Sequence, residues 1–493
     1  MHHKQLREKM GESDAKPHAL MISVPYQGHI NPFVNLALNI ASKGFSITFV
    51  HLEFVHRKLS NAHHRSTTTD DQVDFFSAAR ESGLDIRYTT IHDGYPLEFD
   101  RDLHFLEYFN SLYHDFPARV DEFVGNIIQS DPYSVHFLVT DTIYHWPAAI
   151  AQKYNLVNVS FWTEPALVFS LGYHWDLLRE KGHVPCKDNK EVEINYLPGV
   201  ESISTRDVMS YISGEEIIVS DVLFLAFQEV KKADFILHNT VQELESQTLS
   251  ALNKYLPNYA IGPINFSKIL DTNTITKSFW PESDCTKWLD SKTPGSVLYV
   301  SFGSLVPTSK QVIQEIAYGL LLSEVNFIWV VRQGAVSPGD TNVLPAGYQD
   351  KVKDKGLVIS WCDQIKVLSN PAVGGFLTHN GWNSTIESMR CGVPMICYPI
   401  AYDQLTNRKL VVDTWKIGIS LCDGTTSTVD RTEVAEKIRS FMNGTAVEGL
   451  KQKAEKVKQT LHDALEIDGS SERNFDQFIK DLKEKIHATA ARE

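Results

Sequence analysis

The chain has 493 residues, 43% hydrophobic and 22% charged, which suits a soluble globular protein of two or three domains at about 150 residues each. The formal net charge is −14 with no basic stripe, which argues against a nucleic-acid-binding face. The six cysteines lack C-x-x-C or zinc-ligand spacing, no apolar stretch reaches the roughly 18 residues of a membrane span, and the polar N-terminus has no signal-peptide core, so free thiols and a cytoplasmic location are expected.

An apolar run, HALMISVP (18–25), reads as a first strand leading through YQGH into the helix NPFVNLALNIASKG. Asn31 is placed to cap that helix and Pro32 to take its first position. His29 then stands on a short loop where a G-x-G-x-x-G phosphate cradle would be expected. FSITFVH (45–51), VHFLVTD (135–141) and VNVSFW (157–162) are further strands, with a helix over IYHWPAAIAQKYN. Residues 179–206 read as an irregular surface excursion, and a long helical pattern around 215–233 precedes the strands DFILHNT (234–240) and NYAIGP (258–263).

Residues 264–294 lose periodicity, are rich in Ser, Thr and Asp, and contain Pro281 and Pro294. They are assigned as a linker between an N-terminal domain (1–263) and a C-terminal domain (295–469). In the second domain SVLYVSF, NFIWVVR, GLVISW, GGFLTH, PMICYP and IGISL are strands, and helices begin near Ser309, Gln364, Asn383, Asp403 and Asp430. LKQKAEKVKQ (450–459) has apolar positions at helical spacing and reads as a solvated helix face, and residues 470–493 form an amphipathic helix opened by serine capping.

This alternation implies an α/β architecture of two facing Rossmann-like, doubly wound domains, with ligands beyond the carboxyl ends of the strands. Those ends carry His29, Asp141 and Thr163 in the first half, and Ser304, Trp361, His379, Asp403 and Gln404 in the second. A histidine acting as general base needs a carboxylate to fix its tautomer; Asp141 is the candidate, although it also suits the turn at VTDT. Gly381 and a helix opened by Asn383 or Ser384 make an anion site, to which His379 adds a donor. Glu387 stands at capping-box spacing from Ser384, or else accepts hydrogen bonds from a ribose diol. Trp361 is either core or a flat face for a base. As a set these residues describe a nucleotide-sugar site.

Residues 361–404, WCDQIKVLSNPAVGGFLTHNGWNSTIESMRCGVPMICYPIAYDQ, resemble the 44-residue donor-binding signature of plant family 1 UDP-glycosyltransferases, without gaps. QGHINP, VTD, FWT, YAIGPI, SVLYVSFGS and LPAGY resemble further landmarks in the family order. The resemblance implies the GT-B fold, with the C-terminal helix crossing back to the N-terminal domain. It implies metal-independent, inverting transfer of glucose from UDP-glucose, a co-substrate and not a cofactor. The acceptor would be a hydroxyl or carboxyl of a small lipophilic molecule, giving a β-glucoside. By the same resemblance His29 is the base and Asp141 its partner. Trp361 stacks on uracil, and the Cys362 backbone pairs its edge. Gln364 and Glu387 hold the ribose, and Ser304, His379, Asn383 and Ser384 the phosphates. Thr163, Trp382, Asp403 and Gln404 contact the sugar. A monomer with no partner beyond donor and acceptor is expected.

There are departures. W-C-D-Q replaces the usual W-A-P-Q, and Tyr402 stands where a smaller residue is common, which bears on the sugar pocket. Asp100-Arg101-Asp102, the one D-x-D, lies in an unpatterned loop. The absence of G-x-G-x-x-G and G-x-S-x-G removes a dehydrogenase and a serine hydrolase, leaving a non-catalytic nucleotide-sugar-binding protein as the alternative. Phe99, Phe105, Tyr108, Phe109, Tyr173 and Trp175 suggest an aromatic acceptor cavity.

Overall fold

Strands that read as unbroken apolar runs are expected to be covered on both faces, and the central strands of both sheets are. The structure, a computed structural model, describes residues 16–63, 75–130, 135–185, 191–214, 217–264, 278–306, 308–332, 343–422, 429–444 and 446–491. The first half forms a parallel sheet from β1 (His18–Ile22), β2 (Ser46–Leu52), β3 (Ile86–Ile91), β4 (Phe137–Asp141), β5 (Val157–Trp162), β6 (Phe235–His238) and β7 (Asn258–Ala260). Every residue of β1, β2, β4 and β5 is buried. The edge strand β3 escaped the sequence reading because IRYTTI buries only its two end residues and carries polar side chains between them. The surface excursion contains a short antiparallel pair, Glu193–Ile194 with Ile203–Ser204.

The sheet order is β3-β2-β1-β4-β5-β6-β7, so the order reverses between β1 and β4. Such a switch point opens a crevice at the strands' carboxyl ends. His29 follows β1 and Asp141 ends β4, so topology brings both to this crevice. The second half repeats the device with β8 (Val297–Ser301), β9 (Asn326–Val330), β10 (Gly356–Ile359), β11 (Val373–Thr378), β12 (Met395–Cys397) and β13 (Gly418–Ser420), ordered β10-β9-β8-β11-β12-β13 and all parallel. Its reversal lies between β8 and β11, where Gly303, Ser304 and His379 emerge. The two halves are the Rossmann-like domains of a GT-B fold.

The first helix, α1 (Gln27–Ser42), corrects the expected start at Asn31 and Pro32. It begins at Gln27 with Tyr26 in the extended cap position, so His29 sits in the first helical turn. Pro32 is tolerated inside because its missing N–H would have met the Gly28 carbonyl, four residues back. That carbonyl instead accepts from Asn383 Nδ2 at 2.7 Å, a bond between the two halves. Ser309 and Asp430 do cap the helices Lys310–Ser323 and Arg431–Asn443 with their side chains.

The terminal helix Ser470–Ala490 returns to the first half, but its serines do not cap it. Gly469 is the cap residue, and the hydroxyls of Ser470 and Ser471 anchor the helix to Glu243 and to the Gly262 carbonyl. Phe475, Phe478, Ile479, Leu482 and Ile486 bury into the N-terminal core. Tyr259 donates to Asp481 at 2.6 Å, and Lys485 pairs with Asp234 at 2.6 Å. Of the chain read as linker, residues 265–277 lie outside the described residues; beyond them Thr286–Asp290 is a helix whose Leu289 packs in the C-terminal core.

Candidate active site

A cavity of about 340 Å³ lies between the carboxyl ends of the two sheets. Every candidate site residue lines it except Asp141, which lies behind His29. His29 Nδ1 is 2.7 Å from Asp141 Oδ2; the Asp141 side chain is 0% exposed and that of His29 16%, so the imidazole is the partner that faces the cavity. The Thr163 hydroxyl, assigned from the resemblance to the sugar, lies 3.2 Å from the same Nδ1. A carboxylate on Nδ1 holds the proton there and leaves Nε2 to accept another. Burial opposes charging His29, but the Asp141 charge and hydrogen bond, with Asp403 beyond, outweigh it and raise its pKa above the usual histidine value.

The loop after β5 is fixed from outside the cavity. Buried Glu245 accepts from the amides of Ala166 and Leu167 at 2.9 and 2.7 Å, the free N–H groups of a helix start. Trp162 Nε1 donates to the Pro165 carbonyl at 2.9 Å.

On the other wall the helix Trp382–Cys391 begins at Gly381. Ser384 is therefore inside the first turn and not at the cap, so the capping-box reading of Glu387 fails. Glu387 Oε2 instead accepts from Gln364 Nε2 at 2.7 Å, and the same amide reaches Ser384 Oγ at 3.0 Å. Gln364 Oε1 accepts from Tyr299 at 3.2 Å. Burial pushes the Glu387 carboxyl up to about 7. The His379 imidazole is pushed down to about 4, chiefly by burial, so it is neutral at physiological pH. A Cβ on Gly303 or Gly381 would lie 2.3 or 2.5 Å from His379 Nε2, so both positions must be glycine for the ring to fit. Gly303 also has φ +77°.

Trp361 stacks one side on Trp280, with ring centroids 4.5 Å apart and planes inclined by 30°. Cys362 is buried beneath it, its sulfur 3.5 Å from the Tyr299 hydroxyl. Trp382 Nε1 donates across to the Asn239 carbonyl at 2.7 Å. Asp403 accepts from Asn407 at 2.5 Å, and burial raises its carboxyl to about 6. Gln404 Oε1 accepts from the amides of Ile400 and Ala401 at 2.8 and 3.0 Å, and the residue lines the cavity.

Comparison with known proteins identifies the family. Residues 236–447 match the profile of a family described as UDP-glucoronosyl and UDP-glucosyl transferase. The chain is 50% identical over 478 residues to UDP-glycosyltransferase 86A1 of Arabidopsis thaliana, covering 96% of this chain and 95% of that protein. The chain belongs to the plant family 1 UDP-glycosyltransferases. A second relative of this glycosyltransferase is the 7-deoxyloganetin glucosyltransferase of Catharanthus roseus, 35% identical across 95% of this chain and 97% of that protein. Among solved structures, a UDP-glucose:anthocyanidin 3-O-glucosyltransferase in complex with UDP superposes with a TM-score of 0.80 at 25% identity, covering 95% and 99% of the two chains.

The glycosyltransferase cavity also contains residues the sequence reading did not select. Glu164, beside Thr163, lines it with Oε2 shielded and unpartnered. Burial, then the charges of Asp403 and Asp141, hold its carboxyl well above the usual range. A glutamate at a predicted strand end was the available signal. Of the six aromatics expected around the acceptor, Phe105 and Phe109 line the cavity; Tyr108 and Trp175 are core, Tyr173 packs on Phe169, and Phe99 stacks on Tyr95. In the D-x-D, Asp100 accepts from backbone amides and Asp102 pairs with Lys58, both exposed, while Arg101 between them is buried on Asp93. No helix among the described residues is long and apolar enough to cross a membrane.

Proposed function

We propose that this glycosyltransferase moves glucose from UDP-glucose to a hydroxyl or carboxyl group of a small lipophilic acceptor, by one in-line displacement that inverts the anomeric centre and gives a β-glucoside. The N-terminal domain (1–263) holds the acceptor and the C-terminal domain (295–469) holds the donor. The observation that carries this reading is the 2.7 Å His29–Asp141 pair opening onto the same cavity as Trp361, Gln364 and Glu387. His29 Nε2 removes the acceptor proton as its oxygen attacks, and Asp141 stabilises the imidazolium that forms. The free face of Trp361 takes the uracil, and the Cys362 backbone its edge. Gln364 and Glu387 take the ribose diol. Ser304, Asn383, Ser384 and neutral His379 receive the diphosphate at a helix N-terminus, where charge develops as UDP leaves.

Asp403, the amide of Gln404, Trp382 and Thr163 surround the sugar. A relative named as a glucosyltransferase and a structural neighbour named for UDP-glucose support glucose as the donor sugar. The cavity wall of Tyr26, Phe105, Phe109, Ile143, Val219 and Leu223 suits an apolar acceptor. Incubation with UDP-glucose and a mixed panel of phenols, terpenoid alcohols and aromatic acids, read by mass spectrometry, tests the reading. It expects products one hexose heavier; hexose gain only from another UDP-sugar would refute the donor assignment.

A further inference from the structure

The segment that carries Asp403 is tied to the N-terminal half. The Tyr402 N–H donates to Ser210 Oγ at 2.8 Å, and the Ser210 N–H donates back to the Tyr402 carbonyl at 3.2 Å. Thr406 donates to the Asp207 carbonyl at 2.6 Å, and Arg408 pairs with the Asp207 carboxylate. These contacts hold residues 402–408 in place, but none of them involves the Asp403 carboxylate.

That carboxylate is held by Asn407, one turn later on the helix Gln404–Lys409. Asn407 Nδ2 donates one hydrogen to Asp403 Oδ2 at 2.5 Å and the other to the Asn380 carbonyl at 2.8 Å. Both partners are acceptors, which fixes the orientation of the amide. Asn380 stands between His379 and Gly381 with φ +65°, so its carbonyl belongs to the turn that opens the helix Trp382–Cys391, assigned above to the diphosphate. Asn407 is 0% exposed and is no part of the cavity wall, so it does not touch a ligand. Its own Oδ1 is buried with no hydrogen-bond partner among the described residues. An apolar residue would fill the space without that cost, so packing alone does not account for an asparagine here. Burial opposes the charged form of Asp403, and the Asn407 bond is the strongest influence that favours it.

We infer that Asn407 is a positioning residue for donor recognition: it holds the Asp403 carboxylate in fixed register with the 379–381 turn, so that the sugar is read at a set distance from the diphosphate. The inference rests on the reading above that Asp403 contacts the sugar of UDP-glucose. It is tested by calorimetric titration with UDP-glucose and with UDP of wild type, Asp403→Ala, Asn407→Ala, Asn407→Asp and the double variant Asp403→Ala/Asn407→Ala. Asn407→Asp keeps the side-chain volume and removes both donors, so the test stands should Asn407→Ala unfold. The ratio of the UDP-glucose to the UDP dissociation constant is expected to rise about tenfold in each single variant, the size of one lost hydrogen bond to a charged group, with UDP affinity within about twofold of wild type. The double variant should match Asp403→Ala within about twofold, because Asn407 acts only through that carboxylate. Equal weakening of both ligands in the Asn407 variants would overturn the inference, since support of the turn alone weakens UDP as much as UDP-glucose. So would losses that add in the double variant. An unchanged ratio in Asp403→Ala refutes the sugar assignment itself; a raised ratio there with an unchanged one in the Asn407 variants refutes the positioning role and leaves the sugar assignment standing.

Discussion

Replacing Asp141 by Asn removes the charge behind His29 while keeping the volume of the side chain. The 2.7 Å contact is buried and joins two ionisable groups, so it belongs to the stronger class of hydrogen bond. A bond of that class contributes about 1.5–3 kcal/mol. If it matters most when the imidazolium forms, kcat/KM falls by about 10- to 150-fold at 1.36 kcal/mol per decade. The assay is kcat/KM against pH with an alkyl alcohol acceptor, which has no ionised form to react without a base. In wild type the acid limb should lie above the ordinary histidine pKa of about 6.5, since the Asp141 contribution outweighs burial. In the variant burial acts with less opposition, so the limb moves to lower pH. Stability follows the same sign. A histidine whose folded pKa exceeds its unfolded value adds stability that is fully present below about pH 6.5 and lost as pH rises through the folded pKa. Asp141→Asn should therefore cost more stability near pH 5.5 than near pH 9. A plateau within threefold of wild type with an unmoved acid limb would refute the reasoning.

Three further outcomes are expected. Gly303→Ala places a Cβ against the buried His379 ring and forces a left-handed φ on alanine; overpacking of this kind costs about 1–3 kcal/mol, and calorimetry should show UDP affinity down at least tenfold with the circular dichroism spectrum unchanged. Glu387 titrates at about 7, so if it accepts from the ribose diol, uridine binding should weaken about tenfold from pH 8 to pH 6 in wild type and stay flat in Glu387→Gln; the same raised pKa penalises the ligand-free wild type as pH rises toward 7, so the variant should melt higher at pH 8. Leu482→Ala empties a fully buried position where the terminal helix meets the N-terminal core, and chemical denaturation should show a loss of about 2–5 kcal/mol; a change under 0.5 kcal/mol would mean the helix is not docked there.

The strand ends were legible because a parallel sheet buried on both faces demands continuous apolar runs, and the polar residue that stops each run stands where ligands bind. Val157–Trp162 was read to the residue, and the donor-side candidates converged because one contiguous segment carries most of them. Local rules failed where a residue outside the local pattern decided the outcome, in most cases one from the other half. Asn31-Pro32 looks like a helix start, but the bond from Asn383 to the Gly28 carbonyl lets Pro32 sit inside the helix. Ser384 and Glu387 have capping spacing, yet Gly381 starts the helix and Gln364 takes the carboxylate. Ser470 and Ser471 look like caps and instead bind Glu243 and Gly262, over 200 positions away. Tyr402 could be read only as a bulky intruder near the sugar, since its tether to Ser210 spans 192 positions.

The central claim is that His29 supplies the base while the opposite wall binds the nucleotide. His29→Ala tests it most directly, with transfer from UDP-glucose to an alkyl alcohol and UDP affinity measured on the same preparation. The account predicts transfer reduced by at least about a hundredfold, in line with the usual contribution of a general base, and a UDP dissociation constant within about twofold of wild type. Full transfer activity in the variant would contradict it.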